Sequence, residues 1–192
     1  MSDAPPNKRS LKSLWLIAAL TAAPVVASYL VYYFWQPDRA ANYGELLEPR
    51  PLPDPQLALA DGTPFLLSQI RGKWVLVTVD AGGCDASCDR KLLYLRQLRL
   101  TQGKNRERVE RVWLISDAAA PRAEAAAAYQ GTWLVRATAA ELLGAFPATG
   151  AVSDHIYLVD PLGNLMLRFP REPEPRLMIK DLARLLKASQ IG

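Results

Sequence analysis

An α/β fold, with a central mixed sheet flanked by helices and one membrane-spanning helix ahead of it, is what the sequence predicts. Three observations carry that expectation. An uncharged apolar run lies near the N-terminus, and strand-like and helix-like segments alternate from Leu57 onward. The pattern then closes on two short strands around a Pro-Leu-Gly turn, followed by an amphipathic helix.

The 192 residues are the length of one ordinary domain with an appendage. Half of them are apolar and 22% are charged, which suits a globular body with a core. Lys8, Arg9, Lys12 and Asp3 precede the apolar run, so the chain beyond holds 20 basic against 18 acidic residues. That near balance argues against nucleic acid as a partner. Two cysteines and one histidine exclude chemistry that needs several histidines, and they fall short of a four-ligand structural zinc site. No phosphate loop, dinucleotide glycine pattern or nucleophile elbow is present.

Residues 14–35 read LWLIAALTAAPVVASYLVYYFW, without a charge. As a helix they span roughly 33 Å, enough for a bilayer core. Trp15 at one end and Tyr29, Tyr32, Tyr33 and Trp35 at the other suit the two headgroup regions. Basic residues flank only the start, whereas Asp38 and Arg39 cancel beyond the end. Residues 1–13 are therefore expected in the cytoplasm and the rest outside a bacterial inner membrane, in the periplasm. A signal peptide cleaved after Val25-Val26-Ala27 is the rival reading, but the apolar run continues well past that point.

Residues 36–56 contain Pro37, Pro49, Pro51, Pro53 and Pro55 and read as an extended tether in which regular pairing is forbidden. Residues 57–192 form the domain. Leu57–Ala60 and Phe65–Leu67 flank Asp61-Gly62, a hairpin signal. Trp74–Val79 is a continuous β-branched run, as expected of a strand covered on both faces. A helix over Ser87–Thr101 follows, with a Leu92, Leu95, Leu98 stripe, and Gly103 ends it. Val109–Ser116 is the next strand and 121–129 a helix opened by Pro121. Trp133–Arg136 then reads as a strand and Ala139–Phe146 as a helix. His155–Val159 and Asn164–Phe169 form a hairpin around Asp160-Pro161-Leu162-Gly163. A helix over Arg176–Ser189 buries Leu177, Leu182, Leu185 and Leu186. A β–α–β half followed by a hairpin and a C-terminal helix is the thioredoxin-like architecture.

Cys84-Asp85-Ala86-Ser87-Cys88 joins the central strand to its helix. Free N–H groups and the positive end of the helix dipole stabilise a thiolate there. A thiolate serves disulfide exchange and also binds soft Cu(I). A spacing of four along a helix puts both sulfurs on one face, within reach of a disulfide or of one metal ion. A structural disulfide is the plainer reading, although so short a loop constrains the unfolded chain little. Asp85 and Asp89 add negative charge to the same turn, which suits a cation. Asp80 stands either near this site or on a solvent-facing loop.

The segments DGTPFLLSQIRGKWVLV (61–77), CDASC (84–88) and SDHIYLVDPLGNLMLRF (153–169) resemble the Sco/SenC family, the membrane-anchored copper chaperones of cytochrome c oxidase assembly. They resemble the TlpA-like periplasmic thioredoxins more loosely. The Sco resemblance implies Cys84, Cys88 and His155 as copper ligands, with Asp154 beside the histidine to orient its ring. The thioredoxin pattern, counted back from Gly163, puts His155 where a cis-proline packs against the active cysteines. Three functions follow as expectations. One is copper delivery or thiol maintenance, with a respiratory oxidase subunit or another periplasmic redox or copper protein as partner. The second is thiol–disulfide catalysis by Cys84 and Cys88. The third is a non-catalytic assembly factor that uses the fold as a docking surface. His155 itself reads either as part of the site or as an inert buried histidine.

Overall fold

The structure, a computed structural model, describes residues 8–34, 42–189 and 191. It divides into two units, 1–41 and 42–192. In the first, Lys8–Phe34 is one α-helix (α1) with Pro24 inside it. Its Lys12–Phe34 portion is long and apolar enough to cross a membrane. Trp35 and the first part of the expected tether, Pro37 included, lie outside the described residues.

The second unit is built on one sheet in which Trp74–Asp80 (β4) is central. It runs parallel to Val109–Ile115 (β5) and antiparallel to Ile156–Val159 (β7), and all its residues are buried. Coverage on both faces is why this stretch carries no polar alternation. Trp133–Arg136 (β6) extends the sheet beyond β5, followed by Leu57–Leu59 (β2) and Pro64–Phe65 (β3). On the other side Asn164–Arg168 (β8) pairs with β7 across a turn that Gly163 closes at φ +92°. There the Gly163 N–H donates to the Asp160 carbonyl at 2.9 Å, and Asp160 Oδ1 accepts from Leu162 and Asn164.

The prolines of the expected tether do not prevent pairing. Glu45–Pro51 (β1) is an edge strand, antiparallel to β8, with its register shifting between Leu46 and Arg50. An edge strand needs hydrogen bonds on one side only, so Pro49 and Pro51 are tolerated there. The approach to β1 is clamped from the far end of the chain. Asp181 Oδ2 accepts the Tyr43 and Gly44 N–H groups at 2.7 and 2.8 Å, and the Tyr43 hydroxyl accepts the Glu174 N–H at 2.9 Å. Gly44 lies so close to Leu167 that a Cβ there would sit 2.4 Å from the leucine methyl.

Two helices cover one face: Ala86–Thr101 (α2) with Leu95 and Leu98, and Pro175–Ala188 (α5) with Met178, Leu182 and Leu186. They pack on Leu76, Ile156, Leu158 and Leu167. Met178 takes the buried place expected of Leu177, which is half-buried. Ala140–Gly144 (α4) and the Phe65–Ile70 segment close the other face over Val75, Val77, Val112 and Leu114. The alanine-rich helix is shorter than expected, Ala123–Ala128 (α3), because Pro121 stands before its N-cap Arg122 instead of inside its first turn.

Candidate functional site

The chain leaves β4 at Asp80, turns through Ala81-Gly82-Gly83 and reaches Cys84, whose N–H donates to the Ala81 carbonyl at 3.1 Å. Asp85 is the N-cap of α2, and its Oδ1 accepts from Ser87 and Cys88 N–H groups, both at 2.9 Å. Cys84 therefore stands before the helix and Cys88 within its first turn. Their sulfurs do not meet by sharing a helical face. Cys84 instead turns back at φ +42°, the one positive φ outside glycine among the described residues. The two are joined as a disulfide, with Cα atoms 5.1 Å apart. Asp85 spends its charge on backbone donors, and the Cys88 N–H chiefly holds its carboxyl below the usual carboxylate range. Asp89 pairs with Arg122 at 3.0 Å.

Both cysteines are buried, at 2% and 1% exposure, among Leu92, Trp113, Ile115, Ala125 and Tyr129. The segment from Asp117 to Tyr129 packs over them. Gly82 N–H donates to Asp117 Oδ1 at 2.9 Å, and the Gly82 carbonyl accepts from Arg122 N–H at 2.9 Å. The Tyr129 hydroxyl donates to the Asp89 carbonyl at 3.1 Å. Gly82 is required here, since a Cβ would sit 2.5 Å from the Ala119 carbonyl oxygen.

Asp80 is not on a solvent-facing loop. Its carboxylate is buried, 2.6 Å from Lys91 Nζ and 2.6 Å from the Thr78 hydroxyl. Burial pushes the Asp80 carboxyl up, opposed by Lys91 and Thr78. Lys91 also donates to the Ser153 carbonyl, tying α2 to the turn before β7. This pair forms one wall of a polar cleft of about 530 Å³, which Asp85 and Ser87 of the cysteine loop also line. Lys91 was the residue that sequence reasoning missed. Its signal was its place next to Leu92 and one turn before Leu95, at the border of the buried stripe.

His155 is 5% exposed and forms no metal-ligand group with the cysteines among the described residues. Its Nδ1 donates to the Phe169 carbonyl at 2.9 Å, and Nε2 is buried without a partner among the described residues. The ring lines a separate cavity with Tyr43, Glu45, Thr149 and Arg168. Asp154 does not orient it; that carboxylate accepts from Ala151 N–H at 3.3 Å and pairs with Arg171 at 3.4 Å. The peptide bond before His155 is trans. Among the described residues no three His, Cys, Asp or Glu side chains converge as a metal-ligand group.

A sheet of this order with a cysteine pair between its central strand and the following helix defines a thioredoxin-fold protein. The profile of the family described as transmembrane-like, thioredoxin-like, C-terminal domain matches residues 74–189, and the chain belongs to that family. No curated protein matches it. Among solved structures it is similar to copper-bound yeast Sco1, at TM-score 0.62 and 17% identity over 74% of this chain and 96% of that one. Apo Sco1 of Thermus thermophilus aligns at TM-score 0.55 and 21% identity, covering 79% of this chain and 99% of that one. The thioredoxin domain of a Bacteroides vulgatus thiol-disulfide oxidoreductase aligns at TM-score 0.51 and 21% identity, covering 75% and 98%. The expected thioredoxin-like fold with its Sco/SenC likeness is thus confirmed, at identities that speak to fold alone.

Proposed function

We propose that this chain is a membrane-anchored thiol–disulfide exchange protein in which Cys84 and Cys88 alternate between disulfide and dithiol. The observation that carries this reading is the bonded pair at the entrance to α2, beside a polar cleft. In the reducing direction the Cys84 thiolate attacks a partner disulfide, and one partner sulfur leaves as a thiolate and takes up a proton. The Cys88 thiolate then attacks Cys84 Sγ, releases the second partner sulfur and re-forms the internal bond. Two electrons reach the partner, and an external thiol reductant restores the dithiol. Because both sulfurs are buried, the Asp117–Tyr129 cover moves aside first.

The charges around residues 14–35 support an inner-membrane anchor with the domain in the periplasm. The Sco likeness supports copper proteins of the respiratory chain as partners, whose cysteine ligands would be kept reduced before metal loading in cytochrome c oxidase assembly. A second reading has support in the yeast and Arabidopsis thaliana structures, both described as copper-bound. In it the reduced pair carries Cu(I) as cargo on Cys84 and Cys88, with His155 brought in by rearrangement.

The full chain in detergent distinguishes the two. With Cys88→Ser, exchange predicts that a mixed disulfide between Cys84 and glutathione accumulates, because no resolving thiol remains. Cargo carriage predicts instead stoichiometric Cu(I) uptake by the reduced protein, lost in Cys84→Ser and weakened in His155→Ala. If no mixed disulfide forms and Cu(I) is held tightly, the exchange reading fails.

A further inference from the structure

Arg111 is a buried cation without an ion-pair partner among the described residues. It lies on the face of β5 that packs against α2, between Val109 and Trp113, and is 4% exposed. Its Nη2 donates to the Gln130 carbonyl at 2.7 Å, in the turn between α3 and β6. Nε and Nη1 are buried and find no acceptor among the described residues. A guanidinium removed from water without a counter-charge is costly, and buried charges are normally paired. No carboxylate accepts a hydrogen bond from Arg111 among the described residues, although the charge of Glu110 acts in its favour. Glu110 points to the opposite face of the strand, where its carboxylate accepts the Trp133 indole N–H at 3.1 Å. Glu107 pairs with Arg99 at 3.3 Å and with Arg106 at 3.0 Å.

Two more guanidinium groups approach the same place from α2. Arg96 Nη1 donates to the Ala128 carbonyl at 3.3 Å, and Arg99 Nε donates to the Val109 carbonyl at 2.7 Å. Burial first, and then the like charge of Arg99, push Arg111 below its ordinary range, opposed by the charge of Glu110. Arg99 is already paired with Glu107, but the orphaned donors of Arg111 and the exposed guanidinium of Arg96 beside it suit an anion with several acceptor oxygens. Planar guanidinium groups match a phosphate in this way better than a halide.

We infer that Arg96 and Arg111 form a binding site for a phosphate-type oxyanion where α2 meets the turn after α3. Arg111 supplies the buried donors. Arg96, exposed and held at the Ala128 carbonyl, supplies a second guanidinium. This site is independent of the cysteine pair and stands whether or not the pair exchanges. Its ligand comes either from a soluble phosphate or from the headgroup of an anionic phospholipid.

The test is calorimetric titration of the full chain, in non-ionic detergent and at fixed ionic strength, with inorganic phosphate and then with glycerophosphoglycerol. The latter is the soluble diester headgroup of phosphatidylglycerol. Saturable binding of one anion per chain is expected, weakened about tenfold or more in Arg111→Met, since a charge-assisted bond is lost. Arg96→Ala, at an exposed position that leaves folding intact, should also weaken it. Tighter binding of the diester assigns the site to lipid, and tighter binding of inorganic phosphate to a soluble ligand. No saturable uptake of either anion, or equal binding by wild type and Arg96→Ala, overturns the inference.

Discussion

Three carboxylates around the cysteines look alike in the sequence and act differently in the fold. Asp85 caps α2, Asp89 pairs with Arg122 at the surface, and Asp80 is buried against Lys91. Asp85→Ala removes the acceptor of two backbone N–H groups and should cost about 1 kcal/mol in urea unfolding. Since the folded-state pKa of Asp85 lies below its unfolded value, its contribution is present above the unfolded pKa. It is lost as pH falls through the folded one. Asp80 has the opposite sign, because burial raises its pKa. Stability linked to it is greatest at acid pH and declines as pH rises through the folded value. Lys91→Met strands that carboxylate and should cost about 3–5 kcal/mol near neutrality. Part of the loss should return on acidification, and urea midpoints measured across pH check this. Asp80→Asn with Lys91→Met should be milder than Lys91→Met alone, since no buried charge is left behind. The cysteines themselves were legible because spacing and strand-to-helix position are local properties. His155 was not, since counting from Gly163 fixes its place along the strand but not the direction of its ring. That direction is set by the Phe169 carbonyl across the hairpin.

The cover over the cysteines and the approach to β1 are each held by one side-chain carboxylate. Asp117 accepts the N–H groups of Gly82 and Ala119 and so latches the 117–129 segment over the disulfide. Asp117→Ala should weaken that latch by about 1 kcal/mol and speed reduction by dithiothreitol about fivefold. An unchanged rate would mean that the sulfurs are reached by another route. At the entrance, Asp181→Ala leaves the Tyr43 and Gly44 N–H groups without their acceptor. A loss of about 1–3 kcal/mol is expected, with faster hydrogen exchange confined to the start of β1. Elements with a clear period, such as β4 and α2, were readable because core coverage imposes their pattern. The strand β1 was not, because its prolines argue against pairing unless its place at the sheet edge is known. The residue that holds its entrance, Asp181, lies 138 positions from Tyr43, and no local rule links the two.

At the scale of the molecule, an apolar helix long enough to cross a membrane precedes a thioredoxin-fold domain with a buried, bonded cysteine pair. The order of strands and helices made that fold legible, since a β–α–β half, a hairpin and a terminal helix have few other arrangements. The claim that depends most on this whole is that the pair is redox-active and not a static bridge. Its reduction potential is the direct measure, read on the full chain in detergent by equilibration with glutathione buffers and mass counting of free thiols. Exchange predicts a value in the range of catalytic thiol proteins, roughly −120 to −270 mV, reached reversibly from both directions. A value below about −300 mV would mark the Cys84–Cys88 bond as structural and contradict the account.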